Sequence, residues 1–326
     1  MNMRNFLLVL VFAGCALVSL AVSPFLSWAP KVMGCRTNSD FSSFLAYCNT
    51  DDFGDYEHGA FVWDLEPAAV RALKNARVIF LGNSRVQFAF STAATRDYFE
   101  KKRTSYYLAG FTYFENMVFA LALIDKYKLH PQAVVINSDN TFFRDEMLGT
   151  PRQMLRPKTD IMFWKTLYNY LLKGAFANIE RPLCEIAPFL CAQTVRTIWR
   201  RRQTGEWLWH DTFADPNKFQ PINPALRSST PDEADMQTIE KAAEKFIGAL
   251  GLPRQCIVIT AIPNSVSTDE PIANRVGTKF GLPLVIPHLE DLGTIDDSHL
   301  NRDSAERWSR AFLTDAGPIL DRCITH

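Results

Sequence analysis

The chain reads as an α/β protein, with three layers (α/β/α) built around a mostly parallel five-stranded sheet. Three observations predict this. Short apolar runs rich in Val and Ile alternate with longer helical patterns, as in parallel strands joined by helices. The runs carry almost no polar residue, which suits strands covered on both faces. A length of 326 residues with 47% apolar content is enough to bury such a core.

The elements follow in order. Residues 27–76 lead in as a stalk, with a helix over Pro67–Asn75 that places Pro in its first turn. Arg77–Leu81 is the first strand, and Arg85–Lys101 is the helix after it. Thr104–Leu108 is a short strand closing on Gly110, and Phe114–Tyr127 is apolar at helical spacing. Ala133–Asn137, AVVIN, is the third strand. A helix over Thr230–Leu250 is announced by Ser229-Thr230-Pro231-Asp232-Glu233. Cys256–Ile262 and Leu282–Ile286 are the fourth and fifth strands, and Asp303–Ala316 is the closing helix.

The alternation breaks over residues 141–229, a stretch rich in Trp, Tyr, Phe and Arg. It is too long for an ordinary connection, so a helical insertion is expected. Its aromatic residues are expected to form its core. Its Arg200-Arg201-Arg202 run is expected to be a solvated face, or a contact for an anionic glycan or lipid headgroups.

The N-terminus is different in kind. Phe6 to Val22 carries no charge, and apolar character continues to Trp28. That is long enough to cross a bilayer, which takes roughly 20 residues, and longer than the apolar part of a cleaved signal peptide. Residues 1–28 are therefore expected to be an uncleaved signal-anchor, with lipidation at Cys15 of Phe12-Ala13-Gly14-Cys15 as the alternative. Arg4, the one charge ahead of the span, favours a cytoplasmic N-terminus. The expectation is a single-pass protein of the inner (plasma) membrane, with one periplasmic domain over 29–326.

Of seven cysteines, all but Cys15 fall in that domain. An even number in an exported protein suggests disulfides. Nearest-neighbour pairing gives Cys35–Cys48, Cys184–Cys191 and Cys256–Cys323, one of several connectivities; a cytosolic body would keep them reduced. No CxxC is present, and His210 and His288 lack companions at metal-ligand spacing, so no metal or cofactor is expected. Lys plus Arg (35) equals Asp plus Glu (35), which gives no electrostatic case for nucleic acid.

The chemistry-bearing residues lie at strand ends, where ligands of parallel sheets sit. Ser84 follows the first strand in Gly82-Asn83-Ser84-Arg85, Gly110 ends the second, and Asn137-Ser138-Asp139-Asn140 follows the third. Ahead of the last helix comes Asp296-Asp297-Ser298-His299. A serine attacks a carbonyl at neutral pH only with a base beside it. Asp296, three residues before His299, can reach the same face and hold the imidazole in one tautomer. Asp297 is the alternative orienter. Each residue also has a plainer reading: Ser84 as a helix cap, Gly110 as a strand end, Asp139 as a turn cap, Arg85 as a carboxylate partner.

This constellation resembles the SGNH/GDSL hydrolase superfamily. Gly82-Asn83-Ser84-Arg85 is similar to its first block, where Asp is more usual at the place of Asn83. Gly110 answers to its lone glycine, and Asp296 with His299 to its Asp-x-x-His. Its Gly-x-Asn-Asp block stands here as Asn137-Ser138-Asp139-Asn140, without the Gly and with Asn and Asp exchanged. The resemblance covers roughly 78–316 outside the insertion. It implies a flavodoxin-like sheet and a nucleophile at Ser84 with His299 as base and Asp296 as orienter. The implied oxyanion donors are Ser84 N–H, Gly110 N–H and the Asn140 or Asn137 side chain, with Arg85, Asn83 and Asp139 toward substrate. An anchored, exported form with a large insertion is similar to accessory proteins of polysaccharide O-acetylation and cell-wall D-alanylation. By that resemblance the partners would be a glycan acceptor and an acyl donor, the donor presented by a multispanning membrane acyltransferase.

Overall fold

Val78–Gly82, Tyr106–Gly110, Ala133–Asn137 and Ile257–Thr260 pair in parallel to form the central sheet. The structure, a computed structural model, describes residues 43–49, 55–111, 115–146, 149–155, 161–164, 166–167, 170, 196–208, 215 and 217–324. In chain order the strands are β1 (Phe44–Asn49), β2 (Val78–Gly82), β3 (Tyr106–Gly110), β4 (Ala133–Asn137), β5 (Arg196–Arg201), β6 (Gln220–Pro221), β7 (Ile257–Thr260) and β8 (Gly293–Thr294). The helices are α1 (Asp55–Val62), α2 (Pro67–Asn75), α3 (Ser84–Phe90), α4 (Ala93–Lys102), α5 (Met117–Tyr127), α6 (Gly149–Met154), α7 (Glu233–Leu250), α8 (Glu270–Phe280) and α9 (Arg302–Ile324). The central order is β3-β2-β4-β7. The chain thus leaves β2 toward one side, to β3, and returns past it to β4 on the other. That reversal opens a crevice between the loops after β2 and β4.

Every residue of these four strands is buried. Alternation along β2 shows what covers each face. Phe80 meets Phe90 of α3 and Phe99 of α4, at ring-centroid distances of 4.6 and 5.9 Å. Ile79 and Leu81 face the other way, toward Leu73 of α2 and Ala120 and Leu123 of α5. Helices therefore lie against both faces.

The structure departs from the expected outline in several places. The fifth strand is reduced to one parallel bridge, Ile259 to Leu284. Pro283 and Pro287 flank it, and neither can donate to a ladder. The helix expected over Arg85–Lys101 is two helices, because the Thr92 side chain accepts the Thr95 N–H and restarts the chain as α4. The insertion is not purely helical: β5 pairs antiparallel with β1 from the expected stalk, and β6 pairs with β8. The stalk reading also fails at α1, whose Tyr56, Ala60 and Phe61 are core residues. The arginine run is pinned inward instead of solvated. Arg200 is fully buried against Glu57 (2.8 Å), while Arg201 and Arg202 pair with Glu206 and Glu66. Trp199 and Trp207 are buried as expected of a core, whereas Trp164 is exposed.

Among the described residues no helix is long and apolar enough to cross a membrane. The expected anchor at 1–28 lies outside the described residues, as do Cys15, Cys35, Cys184, Cys191 and His210. Cys256 and Cys323 are disulfide-bonded, tying the start of β7 to the end of α9.

Candidate active site

The nucleophile turn is built by three residues. Gly82 ends β2 at a φ of 150°, where a Cβ would come within 2.6 Å of Val86 Cγ2. Only glycine allows the strand to turn that closely onto its own helix. Asn83 caps α3: its Oδ1 accepts the Arg85 N–H at 2.9 Å, and its Nδ2 donates to Asp139. Ser84 is thereby set at the first position of α3, half-buried at the carboxyl edge of the sheet.

The base arrives on a closed loop. Thr294 bridges Leu300, and Ile295 N–H donates to the His299 carbonyl at 2.9 Å, so residues 295–299 form a tight excursion. Asp297 takes a left-handed φ of 66° to make the bend, which frees Asp296 to turn inward. The Asp296 carboxylate receives the His299 backbone N–H (2.9 Å), the Ser298 N–H (3.2 Å) and His299 Nδ1 (2.8 Å). That assigns the orienting contact to Asp296 and leaves Asp297 as a turn residue. His299 Nε2 lies 2.8 Å from Ser84 Oγ. The Phe88 ring, 4.3 Å from the imidazole between centroids, backs it from α3.

With Nδ1–H given to Asp296, Nε2 is left to accept the Ser84 proton. Burial alone would raise the Asp296 carboxyl. The His299 Nδ1–H hydrogen bond and two backbone N–H groups outweigh burial and hold it below its ordinary range.

The other expected residues fall into two groups. Asn137 is fully engaged: its Oδ1 accepts the Ile262 N–H at 3.0 Å and its Nδ2 faces Asp139. Asp139 caps the turn after β4 through the Thr141 and Phe142 N–H groups. Asn83, Arg85 and Asp139 are each buried and bonded to protein groups, so they frame the site from behind rather than face a ligand. Arg85 donates to Asp269, Ser267 and Ser298. Asn140, by contrast, is half-buried in the turn after β4, its backbone N–H donating to Asp269 Oδ1 at 3.2 Å. Gly110 packs so closely that a Cβ would come within 2.6 Å of the Asn83 carbonyl oxygen. Its own carbonyl accepts from Gln87 and Arg200. Leu108, two residues earlier, points both backbone groups to that same outer edge, so strand alternation turns the Gly110 N–H there too.

Sequence reasoning missed Asp269, Ser267 and Ser298, which accept from Arg85, and Asn264, which donates to Asp269. The available signal was Ser267-Thr268-Asp269-Glu270-Pro271, a helix-start pattern. Asn264, Ser267 and Asp269 also wall an open cavity of about 550 Å³ with Arg227 and Asn274, which Ser84, Ser298 and His299 do not line. Among the described residues no group of His, Cys, Asp and Glu could hold a metal ion. Compared with family models, with curated proteins and with solved structures, the chain has no match.

Proposed function

We propose that this chain is a serine-dependent acyl-transfer protein of the SGNH type, moving an O-acyl group such as acetyl onto a glycan. One observation carries the reading: Ser84, His299 and Asp296 are linked at 2.8 Å and 2.8 Å, at the crevice where the strand order reverses. Ser84 Oγ attacks the acyl carbonyl while His299 Nε2 takes its proton. The tetrahedral oxyanion is met by Ser84 N–H and the Asn140 amide. The donor's leaving group departs with the proton from His299, and an acyl-serine remains. A glycan hydroxyl, deprotonated by His299, then takes the acyl group and returns Ser84. Water in place of the hydroxyl would make the same chemistry an esterase.

The parallel sheet order β3-β2-β4-β7 supports an SGNH-like reading of the fold. The apolar run at 6–28 and the Cys256–Cys323 disulfide support an anchored body in an oxidising, extracytoplasmic compartment. A glycan acceptor and a membrane-embedded donor partner belong to this proposal.

One observation favours a second reading, a catalytically degenerate glycan-binding or scaffold module. Asn137 and Asp139, which align with much of the oxyanion block, are spent on structure. Labelling with an alkyl fluorophosphonate separates the two. Wild-type protein should be labelled and Ser84→Ala should not; absence of label on folded wild type would sink the enzyme reading.

A further inference from the structure

A single ion pair joins the start of α3, after β2, to the loops after β4 and β7 and to the loop that carries His299. Arg85 Nη1 and Asp269 Oδ2 lie 2.8 Å apart, with side chains 3% and 2% exposed. Arg85 lies in the first turn of α3, directly after β2. Its Nε donates to Ser298 Oγ (3.2 Å), the residue before His299, and its Nη1 also donates to Ser267 Oγ (2.8 Å) in the loop after β7. Asp269 Oδ1 accepts the Asn140 N–H at 3.2 Å in the loop after β4. Its Oδ2 accepts from Asn264 Nδ2 (3.0 Å) and Ser267 Oγ (2.8 Å).

Asp269 stands at the cap position of α8, where a carboxylate ordinarily bonds the first helical N–H groups. Here its side chain makes no cap bond. Both oxygens are turned away from the helix, into the loops. Burying two charges is costly, and a neutral pair could hold α8 against the sheet more cheaply. What a forked guanidinium adds is fixed geometry to several acceptors at once. The acceptors here are the loop that carries the base and, through Asp269, the loop that carries the candidate oxyanion amide.

We propose that Arg85 and Asp269 are positioning residues that hold His299 and Asn140 in register with Ser84, an inference that rests on the acyl-transfer reading. Arg85 then has a role in catalysis without touching substrate.

The test compares Asp269→Asn, Arg85→Met and Arg85→Lys with the wild type in two measurements on folded, full-length protein. The first is the rate of Ser84 labelling by an uncharged alkyl fluorophosphonate, which has no substrate group for Arg85 to bind. The second is the proton resonance of His299 Nδ1–H in ¹⁵N-histidine-labelled protein. Misplacement of catalytic groups by an ångström costs on the order of 100-fold, so Asp269→Asn and Arg85→Met should label about 100-fold more slowly and shift or broaden the resonance. Arg85→Lys should not rescue, because an ammonium keeps the charge but cannot reach Ser267, Asp269 and Ser298 together. Wild-type rates with an unchanged resonance, or full rescue by Lys, would overturn the proposal. Should these variants fail to fold, Ser298→Ala cuts only the link to the base loop, and an unchanged rate and resonance there overturn it equally. If the wild type itself is not labelled, acyl transfer falls, and the resonance alone decides whether the pair positions His299.

Discussion

Replacing Asp296 by Asn is expected to slow acylation of Ser84 by about 100-fold. The carboxylate receives His299 Nδ1 and the backbone N–H groups of His299 and Ser298. An Asn keeps one oxygen for the backbone and can present its amide N–H to Nδ1. The imidazole then protonates on Nε2 and meets Ser84 as a donor, with no lone pair for the proton. A hydrogen bond to a charged partner contributes about 1.5–3 kcal/mol, which is about 10- to 150-fold in rate. Removing the aspartate of a buried triad costs about 10⁴-fold, but the Asp296 side chain is 42% exposed, so water offsets part of the loss.

The assay is the rate of fluorophosphonate labelling, with thermal unfolding run in parallel. Asp296 also fixes the sign of a pH effect. Its carboxyl lies below its ordinary value, so the folded state favours the charged form. That contribution is present above the unfolded value near 4 and is lost as pH falls through the lowered value. The stability gap between wild type and Asp296→Asn should close as the pH falls below about 4. A variant that labels at more than half the wild-type rate, or a gap that widens in acid, would refute the reasoning.

Removing the Cys256–Cys323 disulfide in the Cys256→Ala/Cys323→Ala variant should cost about 4 kcal/mol by the loop-entropy relation for a separation of 67 residues. Denaturant midpoints measure it, and an unchanged midpoint would show that the link is redundant. Asn83→Asp and Asp139→Asn should each lower the thermal midpoint. The double exchange should recover much of the loss in a double-mutant cycle, and additive losses would count against a paired role.

The strands were readable because their signal is local. AVVIN spans the observed β4 to the residue, and Pro67–Asn75 needs only its own proline and periodicity. What escaped depends on partners far along the chain. Arg200-Arg201-Arg202 looks solvated until Glu57, Glu206 and Glu66 are brought beside it. The β1–β5 ladder joins residues more than a hundred positions apart, and neither strand alone shows its register. At the site, the Asp296–His299 contact was legible in their three-residue spacing, and the place of Ser84 in the strand that ends just before it. Asp269 was not, since a carboxylate at a helix start reads as a cap until its oxygens are seen turned elsewhere.

If the chain is of the SGNH type, as proposed, its two departures from that pattern can be understood as one. The family more often has Asp where Asn83 stands, and Asn where Asp139 stands. In this chain those two side chains are bonded to each other, Asn83 Nδ2 donating to Asp139 Oδ2. Asn83 Oδ1 must also accept the Arg85 N–H, and Asp139 Oδ1 must accept from Thr141 and Phe142. One member of the pair therefore has to donate as well as accept, and the other need only accept. Two carboxylates here would leave a buried like-charge contact with no donor, and one of them would have to hold a proton. Two amides would satisfy the bonds but remove the charge facing the Arg85–Asp269 pair. An exchange of Asn and Asp across the contact preserves both the hydrogen bond and the single negative charge. The consequence falls on the oxyanion side. On that proposed reading, the amide that the family pattern places after the third strand stands instead at Asn83, and Asn140, the residue after Asp139, is the amide proposed for the oxyanion.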